Sequence, residues 1–283
     1  MQCQICPNKC LVTSFCGAPK KLKINTYQLH YGEEPVLVGG LASGTIFFAH
    51  CNMRCCFCQN YKISQLGSGY EIDEEKFLEI VLELKHKNAV NINLVSPTPY
   101  SALLIPVLKR LKKSGFDLPI IWNSNGYEDV EILKRLEGLV DIYLPDFKYW
   151  DNEIAFKYSE VKNYRENAQS SIAEMYRQTG NLIVDEDELA YFGLMVRLLV
   201  LPNNLSQTDK IIEWLNDEFG NKLYISLMSQ YYPAYNATLF PELNRGITNK
   251  EYQIAVQKMT DLCFENGFIQ QPATTPEWTP DFT

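Results

Sequence analysis

The sequence predicts an α/β fold in which a mostly parallel sheet is covered by helices, and three observations support that prediction. Six strand-like segments alternate with helix-like segments over most of the 283 residues, an order typical of parallel sheets with external helices. Polar residues follow these strand-like segments, at the ends where α/β barrels place their active sites. A hydrophobic fraction of 46% suits one large domain. These patterns are compatible with a doubly wound open sheet or with a barrel.

The first units of the alternation begin with an apolar strand predicted at residues 45–49. Asp73 then opens a helix whose apolar residues recur at helical spacing on one face. The elements that follow are predicted, in order, as a strand at 90–95, a helix at 101–114 that Gly115 ends, a strand at 119–123, a helix at 129–136 and a strand at 139–144.

The remaining units continue the same pattern towards the end of the chain. The segment Thr248-Asn-Lys-Glu251 has the residue types of a capping box and predicts the start of a long helix. Cys263 is expected within that helix, packed in the core. The predicted elements are a helix at 167–178, a strand at 194–201, a helix at 208–219 that Gly220 ends, a strand at 223–228, a helix at 248–265 and a short strand at 268–271.

Composition excludes several classes of partner. The net charge of −8 argues against a nucleic-acid partner, which favours a basic protein surface. No segment approaches the roughly 20 apolar residues that span a bilayer, so no membrane partner is expected. The first residues lack the basic and apolar regions of a signal peptide, which predicts a cytoplasmic protein. Nine cysteines in such a protein indicate metal or redox chemistry before disulfides.

The most informative motif is a C-x3-C-x2-C triplet formed by Cys51, Cys55 and Cys58, directly after the first predicted strand. Three thiolates can hold three irons of a [4Fe–4S] cluster and leave the fourth iron open for a substrate or cofactor. Zinc is the alternative, but structural zinc sites favour paired C-x2-C knuckles that supply four ligands. The triplet therefore favours a cluster, and the off-pattern Cys56 is interpreted as a packed thiol.

The stretch CNMRCCFCQN at residues 51–60 resembles the cluster loop of the radical S-adenosylmethionine (SAM) superfamily. The stretches YLPDFKY at 143–149 and SLMSQYYPAY at 226–235 resemble the pyruvate formate-lyase-activating enzymes within it. The resemblance implies a partial (β/α)6 TIM-like barrel with SAM bound at the open iron. It also implies reductive cleavage of SAM to a 5′-deoxyadenosyl radical that takes hydrogen from a substrate.

The same resemblance implies that eight residues, most of them at the ends of predicted strands, bind SAM or the substrate. Each has a simpler alternative role as a turn residue, a helix cap or a member of an ion pair. The expected contacts are the backbone of Phe57 with the adenine, Ser96 and Thr98 in place of the glycine-rich motif that receives the amino group, Asn123 and Asn125 with the ribose or carboxylate, Asp146 and Lys148 near the methionine end, and Arg197 with the SAM or substrate carboxylate.

A second group of thiols, Cys3, Cys6, Cys10 and Cys16, lies within fourteen residues at the N-terminus. Four sulfurs can close a tetrahedral zinc site or hold an auxiliary iron–sulfur cluster. Free thiols are the least favoured reading, because so short a segment with little apolar core needs a covalent or metal staple. We therefore predict a metal-binding extension at residues 1–40 and a radical SAM core at 41–283.

The predicted function is that of a radical SAM enzyme acting on a protein or peptide, such as a glycine Cα of a glycyl-radical enzyme. Its expected partners are that substrate and a reductase such as flavodoxin or ferredoxin. The alternatives are a radical SAM enzyme that modifies a small peptide or metabolite, and a non-catalytic metal-binding scaffold. No P-loop and no dinucleotide-binding glycine motif is present in the sequence.

Overall fold

The computed structural model describes residues 2–11, 14–271 and 282, and its strands in those residues form one ten-stranded sheet. The strands are β1 (Leu22–His30), β2 (Ala42–Phe48), β3 (Tyr70–Ile72), β4 (Ala89–Val95), β5 (Ile120–Ser124), β6 (Ile142–Pro145), β7 (Ile183–Val184), β8 (Ala190–Leu199), β9 (Tyr224–Met228) and β10 (Gly267–Ile269).

The helices of the same residues lie mostly between successive parallel strands. They are α1 (Pro35–Val38), α2 (Tyr61–Ser64), α3 (Glu74–His86), α4 (Ser101–Lys113), α5 (Val130–Leu136), α6 (Asn152–Ser159), α7 (Tyr164–Thr179), α8 (Thr208–Phe219) and α9 (Asn249–Asp261).

The order of the strands identifies the architecture as a partial barrel. The parallel strands β2, β4, β5, β6, β8, β9 and β10 are neighbours in chain order, without the reversal of a doubly wound sheet. β1 pairs antiparallel with β2, and β3 pairs antiparallel with β1 at that edge. Within the described residues no ladder joins β3 to β10, so the sheet is not closed there. The prediction of a partial TIM-like barrel is confirmed.

Each parallel strand has one face towards the helices and one towards the barrel interior. Ile120 and Trp122 of β5 belong to the large core that the helices cover, whereas Ile121 between them packs with Leu37 of α1. The small interior core also contains Ile142 from the neighbouring strand β6. The short helix α1 thus fills part of the barrel interior and brings the residues just before it close to the strand ends.

The helix-capping predictions are confirmed. Asp73 accepts a hydrogen bond from the Lys76 backbone N–H at 2.8 Å and so caps α3. Thr248 and Glu251 form a reciprocal capping box at the start of α9.

The end of α9 corrects the interpretation of Cys263. The helix stops at Asp261, and Cys263 is exposed with a φ of 53°. The Phe264 N–H reaches the Met259 carbonyl at 3.1 Å and the Cys263 N–H reaches Thr260 at 3.0 Å, which is a Schellman ending. This left-handed ending turns the chain towards β10 four residues earlier than predicted, and it leaves Cys263 outside the core.

The strands β1, β3 and β7 and the helices α1, α2 and α6 were not predicted from the sequence. β1 lies inside the segment assigned to the N-terminal extension, and a register irregularity between Ile24 and Thr26 interrupts its alternation of apolar and polar residues. Because β1 pairs with β2, part of residues 1–40 belongs to the sheet, and the proposed division near residue 40 stays a prediction. No helix of the described residues has both the length and the apolar content to cross a bilayer.

Candidate active site

A cavity at the carboxyl ends of the parallel strands contains most of the residues that the sequence singled out. Ten of the eleven predicted cluster and SAM residues line it, although they come from four separate strand ends and the loop after β2. The ten are Cys51, Cys55, Phe57, Cys58, Ser96, Asn123, Asn125, Asp146, Lys148 and Arg197.

The three cysteines of the triplet open onto this cavity, whereas Cys56 does not line it. Burial, together with the charge of Cys55, raises the pKa of Cys51 to about 12 and that of Cys58 to about 11. Burial also raises the pKa of Cys55, although Lys148 and a serine hydroxyl pull it down. Three buried thiols are therefore unfavourable as thiolates unless a cationic group joins them.

The metal at the triplet is not decided by a preformed ion site. No three His, Cys, Asp or Glu side chains of the described residues are arranged to ligate one ion. A [4Fe–4S] cluster places each thiolate on a different iron, whereas zinc gathers its ligands around one ion. The preference for a cluster over zinc at the triplet stays a prediction.

The end of α6 holds the cysteine loop (residues 51–60) through hydrogen bonds. The Arg54 N–H donates to the Ser159 carbonyl at 3.0 Å, and the Cys56 N–H donates to the Tyr158 carbonyl at 2.8 Å. The Ser159 hydroxyl also donates to Cys55 Sγ at 3.0 Å. These contacts fix the backbone of the loop while leaving the three ligand sulfurs directed towards the cavity.

Asn125 contacts the cysteine loop, in addition to lining the cavity. Its Nδ2 donates to Asn52 Oδ1 at 2.8 Å and to Cys51 Sγ at 3.3 Å. Its Oδ1 accepts from the Tyr127 N–H at 2.9 Å, which fixes the orientation of the amide. Both Nδ2 contacts are thus made within the protein, and the expected contact of Asn125 with SAM stays a prediction.

Asp146, Lys148 and Arg197 line the same cavity as the three cysteines and form what we call the charged wall. Asp146 accepts from Lys148 Nζ at 2.5 Å and from Arg197 Nε at 2.8 Å, and a terminal nitrogen of Arg197 donates to Asn123 Oδ1 at 2.6 Å. Burial acts to raise the pKa of Asp146, but Arg197 and Lys148 outweigh it and hold that pKa below its ordinary value. The wall therefore presents two cations that share one carboxylate.

The structure adds Glu33 to this wall, and the sequence reasoning did not identify it. Its side chain is 9% exposed, accepts from Asn93 Nδ2 at 2.8 Å and lies 4.0 Å from Arg197. Burial and the neighbouring Glu34 raise the pKa of Glu33 to about 7. Glu33 lies between β1 and α1. The alternating apolar residues of β1 are the sequence signal that could have placed Glu33 beside the cavity.

Thr98 is the predicted SAM contact that the structure does not bring to the cavity. Its hydroxyl donates to Glu128 Oε1 at 2.7 Å, and Trp122 Nε1 donates to the same oxygen at 3.1 Å. Ser96, by contrast, lines the cavity with a φ of 58°, in the left-handed region that favours glycine. Ser96 therefore lines the cavity and Thr98 does not, and the expected contacts of both residues with SAM stay predictions.

Replacing Glu128 by glutamine is expected to flatten the fall of stability between pH 5 and pH 8. Burial raises the pKa of Glu128 to about 7, so the folded state binds the proton more tightly than the unfolded state and stability falls as pH rises through this window. Removing the ionisable group should shrink the difference in unfolding free energy between the two pH values by about 2 to 3 kcal/mol.

Urea unfolding at both pH values measures this effect, with Glu131→Gln as the control. Glu131 lies nearby and makes an exposed pair with Lys134, so its removal should leave the pH dependence close to that of the wild type. An identical pH dependence in wild type and Glu128→Gln would show that Glu128 ionises normally.

The N-terminal cysteines form a folded turn that docks on the cysteine loop. The Cys3 N–H donates to the Cys10 carbonyl at 2.8 Å, and Asn8 Nδ2 donates to the Asn52 carbonyl at 2.8 Å. Cys6 is buried, and burial together with the other three thiols raises its pKa to about 12. No set of three ligands for one ion is formed within the described residues. The zinc or cluster assignment for this group stays a prediction.

Comparisons with known proteins agree with this geometry. A family model for the radical SAM superfamily matches residues 45–184. The uncharacterized protein MJ0674 of Methanocaldococcus jannaschii is 36% identical over 269 residues, which cover 90% of this chain and 73% of that protein. The pyruvate formate-lyase-activating enzyme of Clostridium pasteurianum is 29% identical over 133 residues, 44% of this chain and 54% of that enzyme.

A solved structure extends the likeness to most of the fold. Streptococcus suis SuiB bound to its precursor peptide SuiA superposes with a TM-score of 0.52 at 9% identity, covering 78% of this chain and 47% of SuiB. The family match spans the cysteine loop, the strands β4, β5 and β6 and the charged pair after β6. The chain therefore belongs to the radical SAM superfamily of enzymes, and within it resembles the pyruvate formate-lyase-activating enzymes.

Proposed function

We propose that this protein binds a [4Fe–4S] cluster through Cys51, Cys55 and Cys58, binds SAM across the cavity, and abstracts hydrogen from a protein or peptide. The radical SAM family itself implies the cluster and SAM as cofactors. The observation that carries the assignment to these residues is the shared cavity. The three patterned thiols line this cavity together with Lys148 and Arg197, whereas the off-pattern Cys56 does not line it.

The residues of the cavity fit both groups by their chemistry. Three buried thiols with raised pKa values gain most from an iron centre that takes up their negative charge. A [4Fe–4S] cluster held by Cys51, Cys55 and Cys58 would supply the electron for the reductive cleavage of SAM bound beside it. Orientation of SAM and exclusion of competing reactions are the tasks left to the protein.

The charged wall supplies the groups that would hold the methionine end of SAM. Lys148 has three N–H donors and Asp146 accepts one of them. One terminal nitrogen of Arg197 donates to Asn123, whereas the other lies 4.0 Å from Glu33. Lys148 and Arg197 can therefore bind a carboxylate at the cavity, and Asp146 can hold both cations in place or accept from an ammonium group.

A macromolecular substrate is supported by two comparisons. The resemblance to a pyruvate formate-lyase-activating enzyme favours a glycine Cα of a glycyl-radical enzyme as the site of hydrogen abstraction. The peptide seen in SuiB shows that a related fold binds a peptide in that protein.

Anaerobically reconstituted protein, given dithionite and SAM, is expected to form 5′-deoxyadenosine and methionine in equal amounts. Liquid chromatography with mass spectrometry measures both products, and samples without iron or without dithionite are the controls. Protein that holds about four irons per chain yet releases no 5′-deoxyadenosine would overturn the proposal and favour a metal-binding scaffold.

The finer proposal concerns the substrate and the electron donor. Mixing the reduced, SAM-loaded enzyme with a glycyl-radical polypeptide from the same genome should give an organic radical signal in EPR spectra, and a Gly→Ala change at the radical site should abolish it. Turnover of a small peptide or metabolite with no such signal would favour the alternative substrate class. Replacement of dithionite by reduced flavodoxin or ferredoxin tests the proposed reductase.

A further inference from the structure

We propose that Asn125, Ser159 and Ser64 are positioning residues that each donate one hydrogen bond to a different cluster cysteine and thereby set the reduction potential of the cluster. This inference rests on the proposed function, because it requires the cluster at Cys51, Cys55 and Cys58. None of these three donors carries the chemistry of SAM cleavage. Their effect is exerted through the sulfur atoms that ligate the irons.

The structure gives each ligand sulfur its own side-chain partner. Asn125 Nδ2 lies 3.3 Å from Cys51 Sγ, Ser159 Oγ lies 3.0 Å from Cys55 Sγ, and Ser64 Oγ lies 3.1 Å from Cys58 Sγ. The three partners come from different elements, namely the end of β5, the end of α6 and the end of α2. A one-to-one arrangement from three separate elements is more specific than the incidental contacts of one loop.

A second donor behind each partner fixes the direction of its hydrogen bond. The Tyr127 N–H donates to Asn125 Oδ1 at 2.9 Å, and Gln65 Nε2 donates to Ser64 Oγ at 3.2 Å. The Tyr149 hydroxyl lies 2.7 Å from Ser159 Oγ, whose own proton is used towards sulfur. Each of the three partners therefore has an oxygen that already accepts a hydrogen bond, and its N–H or O–H can donate to a sulfur that, once bound to iron, has no proton of its own.

An iron-bound thiolate is an acceptor only, so these bonds strengthen when the cluster is present. Hydrogen bonds to the sulfurs of iron–sulfur clusters are among the factors that set their reduction potentials. A donor at sulfur stabilises the more negative, reduced cluster and so makes reduction easier. The reduction of a low-potential cluster precedes SAM cleavage in this family, so such donors favour the active form.

Ser159 is expected to contribute most of the three. Its side chain is fully buried, so water cannot replace its hydroxyl, and Tyr149 behind it is also fully buried. Hydrogen-bond chains in such low-dielectric surroundings are stronger than exposed ones. Ser64 and Asn125 line the cavity, where another donor can partly substitute for them.

Redox titration of the cluster, followed by EPR in the absence of SAM, tests the inference. Ser159→Ala is expected to lower the ratio of reduced to oxidised cluster at a fixed potential by about tenfold, which is about 59 mV for a one-electron couple. Tyr149→Phe keeps the ring contacts and the Ser159 hydroxyl, and it should shift the ratio in the same direction by less. Ser170→Ala is the matched control, because the exposed Ser170 hydroxyl donates to the Glu166 carbonyl at 2.8 Å, within its own helix α7.

The outcomes separate this inference from the proposed function. Ser159→Ala and Tyr149→Phe with full iron content and wild-type potentials would overturn the role in tuning. Wild-type protein that binds no cluster would instead overturn the proposed function. If Ser159→Ala fails to assemble the cluster, Tyr149→Phe decides: a more negative potential supports the inference, and an unchanged one contradicts it.

Discussion

Replacing Cys55 by alanine is expected to abolish cluster binding and 5′-deoxyadenosine formation, whereas replacing the adjacent Cys56 by alanine is expected to preserve both. The two thiols are equally buried, each 8% exposed, and they differ in where they point. Cys55 lines the cavity with Cys51 and Cys58, whereas Cys56 lines only a second pocket, to which Cys51 also contributes. The pair thus isolates ligand geometry from burial and from cysteine chemistry.

The physical reason is the number of ligands that the cluster has. A loop that supplies three thiolates has no spare ligand, so the loss of one leaves two irons without protein ligands. The neighbouring backbone gives no replacement, since the Cys55 position is fixed by the contacts of Arg54 and Cys56 with the end of α6. Alanine at Cys56 removes only a packed thiol and leaves its N–H bond to the Tyr158 carbonyl intact.

Iron content, the visible absorption of the cluster and product formation should be measured for both variants after identical reconstitution. Cys55→Ala should fall to the product level of the sample without protein, and Cys56→Ala should match the wild type. Loss of the cluster in Cys56→Ala, with Cys55→Ala unaffected, would mean that the ligand assignment is wrong. Cys263→Ala, at an exposed position after α9, is a further control.

Much of the fold and of the site could be predicted because the determining signals are local. The triplet follows an apolar strand, and polar residues mark the ends of the strands that follow. Parallel strands place their carboxyl ends at one edge of a barrel, so topology alone brings Asn123, Asp146 and Arg197 together from distant parts of the chain. Their meeting at one cavity needed no knowledge of side-chain packing.

The remaining features depend on tertiary contacts that local patterns do not encode. Asn125 and Thr98 sit near the predicted strand ends, yet their side chains hydrogen-bond to Asn52 and to Glu128. Glu33 reaches the cavity only because β1 adds to the sheet and α1 enters the barrel. A polar residue at a strand end is therefore predictable as a candidate, whereas its partner is decided by the packing around it.

The same distinction explains the role inferred for Ser159. Asp151 caps the start of helix α6, where its side chain accepts from the Glu153 and Ile154 N–H groups, so this start carries an ordinary capping signal. Its end carries no signal of function, because Tyr158 and Ser159 acquire their importance from the cysteine loop about a hundred residues earlier. The order of the elements predicts that strand ends meet, but it does not predict which side chain at the end of a helix contacts the cysteine loop.

Replacing Asp146 by asparagine is expected to destabilise the protein by about 3 to 5 kcal/mol, the cost typical of removing one partner from a buried ion pair. Asp146 is 14% exposed and stands between Lys148 and Arg197, which are 17% and 16% exposed. Without the carboxylate, two buried cations face each other, and asparagine can offer a hydrogen-bond acceptor but no negative charge. The loss should be seen as a lower urea midpoint of unfolding.

The pH dependence has a definite sign. The two cations hold the pKa of Asp146 below its ordinary value in the folded protein. The ionised Asp146 therefore stabilises the fold fully at pH values above the pKa of the carboxyl in the unfolded chain. This stabilisation is lost as pH falls through the pKa of Asp146 in the folded protein. The variant lacks this contribution, so the difference between wild type and Asp146→Asn should be full at neutral pH and should shrink under strongly acidic conditions.

Two further variants make the test specific. Asp117→Asn is the matched control, because Asp117 makes an exposed pair with Lys85 and its loss should leave the urea midpoint near the wild-type value. The double variant Asp146→Asn, Lys148→Met removes one of the two uncompensated cations, so it should be more stable than Asp146→Asn alone. Two results would contradict this role of Asp146: a double variant no more stable than Asp146→Asn, or a single variant with the wild-type midpoint. Either would show that water or another anion already compensates the two cations, so that Asp146 is not the group that holds them at the cavity.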